Sequence, residues 1–404
     1  MRFICIFALF LSVHLYSSND NTALEVKRPE NIRVLLEKDI SGAVLEVKGP
    51  YYIFNPEDGS RISSGLLGKR FLVHGLQNGI KWGEQFPGIH QVYIVPRSEE
   101  TSILVNGIQY EGAIAVFQIE DKISIVNDID IEKYIKAILT PKFPFPLETE
   151  VMAAVAILAR TNAYYYVSKG GLHSFWDVDA KDVGFQGCAL VDSSSFITKG
   201  VDSTKNLIMI HPYQGKNVPF AAKWTEHSAG KTAPFRSIFR FDGHAPNLSI
   251  STPHAELDKD DTKWSFIISK IKLAKLLNVS NIDKLELFTD KDSNKIYGAR
   301  VINGSEKKDF NFIDLQNRLN KDLLKSSEFT ISQAAESITF TGFGSGHGVG
   351  LCLHSAAALA QNGDNAVQIL ARFFPQTYLM NLSALPNRQG NIVENLNERN
   401  LFTR

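Results

Sequence analysis

Short segments in which apolar and polar residues alternate follow one another from residue 31 to about residue 129. Alternation with a period of two is typical of half-buried strands, and Asp58-Gly59 and Asn106-Gly107 are candidate hairpin turns. The sequence therefore predicts a β-rich N-terminal part, residues 31–129. The segments lie near residues 32–36, 44–47, 92–95, 113–119 and 123–126.

Helical spacing replaces this alternation after residue 129. Residues 130–139 are predicted to form one helix, and residues 148–168 a second one, after a stretch broken by prolines and before Gly170-Gly171. The second helix is apolar on nearly every face, which indicates burial inside the protein. A mixed segment follows at about residues 262–335. Its predicted elements are a helix near 267–277, strands near 284–288 and 299–302, and a helical stretch near 312–324.

The first 20 residues and the last 19 residues differ in composition from the rest of the chain. Arg2 precedes an apolar run at residues 3–16, and small polar residues follow it, so residues 1–20 are typical of an export signal; an uncleaved N-terminal anchor is the alternative. The Asn-rich tail, residues 386–404, is predicted to be mobile.

Composition narrows the classes of function. In 404 residues, 43 Lys and Arg balance 43 Asp and Glu without a long basic run, which argues against a nucleic-acid partner. The body of the chain lacks a run of about 18 apolar residues, which argues against a multi-span membrane protein. Cys188 and Cys352 could form one disulfide in an oxidising compartment, or remain two separate thiols.

The most unusual segment is residues 340–351, in which glycines alternate from Gly342 to Gly350 around His347. Such a loop requires backbone freedom, or very close approach by another segment or a ligand. The spacing does not fit a nucleotide-binding glycine motif, and Thr225 stands where a Walker loop ending at Gly230 would need its first glycine, so no nucleotide is expected. His347 could simply bond the backbone of its own loop.

A second segment, residues 223–232, combines Trp224 with Glu226, His227 and small polar residues. An aromatic ring beside short polar side chains is typical of a site that stacks and holds a sugar. Glu226 could titrate there or be a solvated turn residue. The chain has no H-E-x-x-H motif and no paired cysteine spacing, so neither a metal nor another cofactor is expected.

Arg160 stands inside the apolar second helix. A charge in such a position must be paired or must reach a surface. Two interpretations follow: Arg160 braces the fold through carboxylates or carbonyls, or it contacts the substrate directly.

Taken in order, these segments resemble the stage II sporulation protein D (SpoIID) and amidase enhancer family. The resemblance extends over roughly residues 32–379, and its most specific parts are the Ala-Arg-Thr block ending at Thr161 and the glycine-histidine block around His347. The matching blocks lie at residues 126–134, 153–161, 182–187, 228–232, 343–350 and 369–375.

The resemblance, more than the periodicity, implies an α+β fold: a β-rich framework with several packed helices, arranged as two lobes around a glycan-binding cleft. Residues 130–380 would form the SpoIID-like core. The family also implies an exported protein of the bacterial periplasm or cell envelope that acts on peptidoglycan. Its expected partners are glycan strands lacking stem peptides and an N-acetylmuramoyl-L-alanine amidase.

Two activities are implied. In lytic transglycosylase-type cleavage, one glutamic acid protonates the glycosidic oxygen, and the muramic acid 6-hydroxyl closes on the anomeric carbon to give a 1,6-anhydro end. The alternative is a non-catalytic factor that binds glycan or enhances the amidase. A secreted binding module unrelated to peptidoglycan is a third hypothesis.

The sequence departs from the family pattern at polar positions. The glutamate of the family's Glu-Met-Pro motif falls on Lys142, which is a poor substitute for a carboxylic acid. Glu150 is retained near the start of the second helix, either as the acid or only as a favourable charge at the helix N-terminus. The family's Met-Ser-Gln is Leu351-Cys352-Leu353 here, and Val183 replaces the Gln that usually follows Asp182.

The candidate site combines residues chosen for their chemistry with residues that match the family pattern. The candidate catalytic residues are Glu150, Glu226 and His347. The candidate substrate-binding residues are Arg160, Trp224, Ser228, Lys231, Thr232, Gly346 and Gly348.

Overall fold

The computed structural model describes residues 30–170, 174–239, 245–246 and 248–384. The predicted export segment and the predicted mobile tail lie outside these residues. The described chain is an α+β, β-rich protein, which confirms the predicted fold class. The arrangement in two lobes stays a prediction.

The N-terminal strands form two sheets. The large sheet has the strand order β13-β1-β12-β11-β8-β3-β4, and the second sheet has the order β10-β9-β2-β5-β6-β7. Alternate residues of β2 are buried, as the period of two predicts, and strands of both sheets share one hydrophobic core. The strands are β1 (Asn31–Ile40), β2 (Ala43–Lys48), β3 (Tyr51–Phe54), β4 (Arg61–Gly65), β5 (Lys69–Leu76), β6 (Gly79–Trp82), β7 (Glu84–Pro87), β8 (Gln91–Pro96), β9 (Ser102–Val105), β10 (Ile108–Tyr110), β11 (Ala113–Ile119), β12 (Lys122–Asp130) and β13 (Val178–Asp179).

Helices α1 (Ile131–Leu139) and α2 (Thr149–Gly170) pack on the same core. The Asp130 side chain accepts a hydrogen bond from the Lys133 backbone N–H, which fixes the start of α1. Buried residues occupy α2 on all sides along its first half, so the predicted burial is confirmed. Two short helices follow, α3 (Ala180–Val183) and α4 (Phe196–Ser203).

The remaining elements build a second hydrophobic core and then return to the first. The second core lies among the elements from α5 to β22, and α9 and α10 pack against α2. These elements are β14 (Leu207–Tyr213), β15 (Lys216–Val218), β16 (Trp224–Thr225), α5 (Phe235–Phe239), α6 (Pro253–Leu257), β17 (Trp264–Ser269), α7 (Lys270–Leu277), β18 (Lys284–Thr289), β19 (Ile296–Asn303), β20 (Glu306–Asn311), α8 (Phe312–Leu319), β21 (Glu328–Gln333), β22 (Ser337–Phe343), β23 (Leu351–Cys352), α9 (Leu353–Gln361), α10 (Ala366–Phe373) and β24 (Tyr378–Asn381).

Two predicted helices have the wrong bounds. The helix predicted near residues 267–277 begins only at Lys270, because the preceding residues form β17, and the Ser269 side chain caps the helix. The helical stretch predicted near 312–324 ends at Leu319, because Asn320 adopts a positive φ of 77°. The strands predicted near residues 284–288 and 299–302 are confirmed as β18 and β19.

The two later cysteines do not form a disulfide. Cys188 and Cys352 are both free and buried. Among the described residues, no helix is both long enough and apolar enough to cross a membrane.

Candidate functional site

Two segments far apart in sequence lock together and form the centre of the candidate site. We call residues 223–233 and 343–352 the interlock. Strand β16 pairs in parallel with β23, and His227 exchanges two backbone hydrogen bonds of 3.0 Å each with Ser345. The Thr225 hydroxyl ties the segments further, because it donates to the Ser345 carbonyl (3.1 Å) and accepts from the Gly348 N–H (3.0 Å).

The alternating glycines make this contact possible. Gly344, Gly346, Gly348 and Gly350 all have φ between 75° and 92°, where other residues are strained. A Cβ on Gly350 would also overlap the Lys223 carbonyl oxygen, and one on Gly346 would overlap the Thr225 hydroxyl. The close approach that the glycine spacing predicts is therefore made by the chain's own segment.

This geometry gives Gly346 and Gly348 a structural role, and their part in substrate binding stays a prediction. Thr225 occupies the space above Gly346. Ser327 and Lys295 border Gly348, each within about 3.1 Å of where a Cβ would stand. Both glycines serve the interlock.

Trp224 and Glu226 share one face of the interlock. Burial alternates along this segment: Trp224 is half-buried and Glu226 is exposed, whereas Thr225 and His227 are buried. Because side chains alternate along an extended segment, Trp224 and Glu226 point to the same side. The Glu226 carboxylate accepts a hydrogen bond from the Ser345 hydroxyl, so the interlock also orients this acid.

Cationic and aromatic side chains surround Trp224. The Lys142 ammonium lies 5.8 Å from the centre of the Trp224 ring and donates to the Val183 carbonyl (2.9 Å). The ring of Phe143 lies 6.2 Å from that of Trp224. The lysine that replaces the family glutamate therefore stands against the predicted sugar-stacking residue.

A second group of side chains adjoins the first. Phe239 contacts both His347, with ring centres 5.0 Å apart, and the Lys223 ammonium, 5.3 Å from the ring centre. We call Lys142, Lys223, Trp224, Phe239 and His347 the Trp224 cluster.

Burial and mutual repulsion shift the pKa values of this cluster. Desolvation, followed by the charges of Lys223 and Lys321, lowers the pKa of Lys142 to about 8. The same causes lower the pKa of His347 to about 3. Desolvation also lowers the pKa of Lys223. At neutral pH Lys142 is thus mostly charged, while the His347 ring is neutral.

His347 can act only as a hydrogen-bond donor near neutral pH. Its Nδ1 accepts the N–H of Val349 (3.1 Å), so the neutral ring carries its proton on Nε2. Within the described chain Nε2 has no hydrogen-bond partner of its own. This state suits a residue that orients or stabilises a ligand, and a catalytic role for His347 stays a prediction.

Glu150 has a different environment from the one predicted for a general acid. Its carboxylate accepts the N–H of Ala366 (2.7 Å), the first residue of α10. A carboxylate at a helix N-terminus is stabilised by the partial positive charge there. The contact favours a structural role for Glu150, although the helix it serves is α10 rather than its own helix α2.

Arg160 braces the fold, as one of its two interpretations predicts, and its contact with a substrate stays a prediction. The residue is 0% exposed. Nε and Nη2 each donate to one carboxylate oxygen of Glu132 (2.7 Å), and the remaining donors reach Val201 O (3.1 Å) and Leu207 O (3.1 Å). The guanidinium is therefore committed to the protein.

Ser228, Lys231 and Thr232 also form hydrogen bonds within the protein. Buried Ser228 shares a 2.7 Å hydrogen bond with Thr252, and buried Thr232 accepts the Ile250 N–H (2.9 Å). The Lys231 ammonium donates to the Asp292 carbonyl. Each partner lies in the segment between the two halves of the interlock, and the substrate contacts of the three residues stay predictions.

The structure brings together three predicted site residues, Trp224, Glu226 and His347. It adds Lys223 and Phe239, which the sequence analysis missed. The sequence could have indicated Lys223, because it directly precedes Trp224 in the candidate segment. Nothing in the sequence around Phe239 indicates that it belongs to the site. No group of three His, Cys, Asp or Glu side chains placed to hold a metal occurs in the part of the chain that the structure describes.

The model of the SpoIID family, described as stage II sporulation protein, matches residues 119–211. This range runs from the end of β11 into β14 and contains Lys142, Glu150 and Arg160. The chain belongs to the SpoIID family, which confirms the resemblance. Membership gives the protein a sporulation- or peptidoglycan-related role at the level of the family.

Three bacterial relatives are similar to the chain. An uncharacterized protein of Chlamydia pneumoniae is 34% identical over 182 residues, which is 45% of this chain and 66%, just under two thirds, of that protein. An uncharacterized protein of Chlamydia muridarum is 32% identical over 195 residues, covering 48% of this chain and 68% of the relative. An uncharacterized protein of Brachyspira hyodysenteriae is 27% identical over 350 residues, covering 85% and 91%.

Proposed function

We propose that the protein is an exported cell-envelope factor that binds peptidoglycan glycan strands lacking stem peptides, without cleaving them. The observation that carries this proposal is the position of Lys142. A cation stands against Trp224 where the family pattern has its acid. An amidase that removes stem peptides is the second proposed partner, because it produces such strands.

The chemistry of the Trp224 cluster suits this ligand. Removal of the stem peptide leaves a free lactyl carboxylate on each muramic acid, so the strand carries both sugar rings and negative charges. Trp224 offers an aromatic face for a sugar, Lys142 offers positive charge, and His347 offers a neutral donor.

Lytic transglycosylase-type cleavage is the second candidate function, and Glu226 is the observation in its favour. This acid is exposed, lies on the same face as Trp224 and is held by Ser345. A single acid is sufficient for this chemistry, because the muramic acid 6-hydroxyl is the nucleophile.

One experiment separates the two candidates. We expect the purified chain to retain stem-peptide-free strands in a pull-down, while mass spectrometry finds no new 1,6-anhydro ends. Trp224→Ala should weaken retention about threefold to tenfold through loss of stacking. Tyr378→Ala, at an aromatic residue 59% exposed on β24, is the matched control and should bind normally.

Other results would overturn the binding proposal. New anhydro ends that disappear in Glu226→Gln would establish the transglycosylase instead. Folded protein that does not retain the strands, or equal retention by Trp224→Ala and wild type, would show that the Trp224 cluster is not the glycan site.

Binding should also depend on pH. Lys142 is charged below its pKa of about 8 and neutral above it, so retention of the anionic strand should fall as pH rises from 7 to 9. Lys142→Arg keeps its charge over this range and should show a smaller fall. Equal pH profiles for the two proteins, measured by titration calorimetry, would contradict a role for the Lys142 charge.

A further inference from the structure

Two leucines stand out from the turn between β4 and β5. Leu66 is 75% exposed and Leu67 is 83% exposed. The base of the turn is nevertheless packed, because a Cβ on Gly68 would lie 2.8 Å from the Val47 carbonyl oxygen. The backbone of the turn is therefore held in place while two adjacent leucine side chains are exposed. Exposing large apolar side chains to water costs free energy, so such a pair is typical of a surface that contacts another apolar surface.

Two arginine side chains lie against one tyrosine, Tyr52, whose strand partner Ser64 is near this turn. The guanidinium carbons of Arg97 and Arg61 lie 4.7 Å and 5.1 Å from the centre of the Tyr52 ring. Considering the described residues, neither arginine forms an ion pair with a carboxylate. Lys48 follows on the neighbouring strand, with its Cα 3.6 Å from the Cβ position of Gly68.

Strand register places the leucine turn and Arg97 at one end of the large sheet, whereas Arg61 pairs with Phe54 farther along β4 and only its side chain reaches back to Tyr52. Tyr51 pairs with Gly65 on one side and with Pro96 on the other, so Leu66 and Arg97 both lie just beyond this end. On β1, Asn31 pairs with Asp130, which places the first residue of the strand at the same end. Twenty-nine residues precede Glu30 in the chain, and they include the apolar run at residues 3–16.

We infer that this end of the large sheet docks on a bilayer that contains anionic phospholipids. Leu66 and Leu67 enter the apolar edge of the bilayer, and Tyr52 lies at the headgroup level. Arg61 and Arg97 bind the lipid phosphates. Apolar insertion beside basic residues is the combination that holds proteins on such surfaces.

The charge pattern agrees with this occupant. Lys48 forms a loose ion pair of 3.9 Å with Glu46, which also pairs with Arg70, so the free positive charge at this end comes from the arginines. Glu99 and Glu100 follow Arg97 in sequence, but within the described residues neither forms an ion pair with it; the hydrogen bond from Lys133 to Glu111 raises the pKa of Lys133, and the Glu99 charge adds to this rise. The arginines beside Tyr52 thus remain available for phosphate groups.

The test follows the environment of the leucine turn in the full chain. Cys5→Ser removes the one cysteine outside the described residues, and Cys188 and Cys352 are buried, so Leu67→Cys can be labelled selectively with an environment-sensitive fluorophore. Ile119→Cys is the matched control. Ile119 is also exposed, at 57%, but it lies at the end of β11 that is far from the leucine turn.

We expect vesicles of phosphatidylglycerol and phosphatidylethanolamine to shift the emission at position 67 to shorter wavelength and to leave position 119 unchanged. Phosphatidylcholine vesicles should produce little shift at either position. No shift at position 67, or equal shifts at both positions, would overturn the inference, since tethering by the N-terminal residues alone does not distinguish the two labels in this way.

The arginines receive a separate test. In vesicle co-sedimentation, Arg61→Gln with Arg97→Gln should weaken binding to the anionic vesicles roughly fivefold per arginine. Leu66→Ser with Leu67→Ser should remove the emission shift of a label at the neighbouring Ser64→Cys. Unchanged binding of the arginine variant would show that the headgroups are not the ligand.

Discussion

Gly350→Ala is expected to destabilise the protein by about 3 kcal/mol or more, because the new Cβ meets two separate penalties. The backbone has a φ of 81°, and the Cβ would overlap the Lys223 carbonyl oxygen. That oxygen belongs to the interlock and accepts the N–H of Leu351 (3.1 Å). Chemical denaturation, followed by circular dichroism, measures the loss.

Gly363→Ala separates the two penalties. Gly363 has a φ of 94°, but no atom lies within 4 Å of its Cβ position. This variant should lose only about 1–2 kcal/mol, the cost of the backbone conformation. If both variants lost the same stability, the close approach of the two segments would not be a real constraint.

The second large effect is expected at Arg160. Arg160→Ala should lower the free energy of unfolding by about 3–5 kcal/mol, since it leaves the Glu132 carboxylate without its partner in a largely buried place. Lys136→Ala is the control. Lys136 pairs with Asp202 at a similar distance, 2.7 Å, but the Asp202 side chain is half exposed, and the expected loss is about 0–1 kcal/mol.

A double variant tests whether Arg160 has any role beyond this pairing. Arg160→Met with Glu132→Met should recover much of the stability, because two apolar side chains remove the isolated charge. If the folded double variant failed to retain glycan strands, Arg160 would act on the ligand after all. Normal retention would leave it as a brace.

The parts of the fold that the sequence predicts correctly depend on patterns among residues close together in the chain. The strands before residue 130, the start of α1 and the burial of α2 depend on periodicity and on capping residues that are close in sequence. The start of α7 was missed because Ile267 and Ile268 suit a helix face as well as a strand. These residues form a strand because β22 pairs with them, with Ile338 opposite Ile268.

The candidate site was harder to predict because its contacts are distant in sequence. The sequence of the glycine loop indicates a close approach but does not identify the segment that approaches. Glu150 is paired with a backbone N–H 216 positions away, so its side chain cannot be assigned from its own helix. The buried polar residues of segment 228–232 are conspicuous in the sequence, yet only the structure shows that protein atoms satisfy them.

The interlock has a consequence for the order of folding. Thr225 and Gly348 are 123 positions apart, whereas the hairpins of β18, β19 and β20 pair residues that are near neighbours in the chain. Closing so long a loop costs chain entropy that local pairing does not. We therefore expect Trp224 and His347 to meet late in folding, so that a newly made chain acquires much of its secondary structure before it acquires a place to hold a ligand.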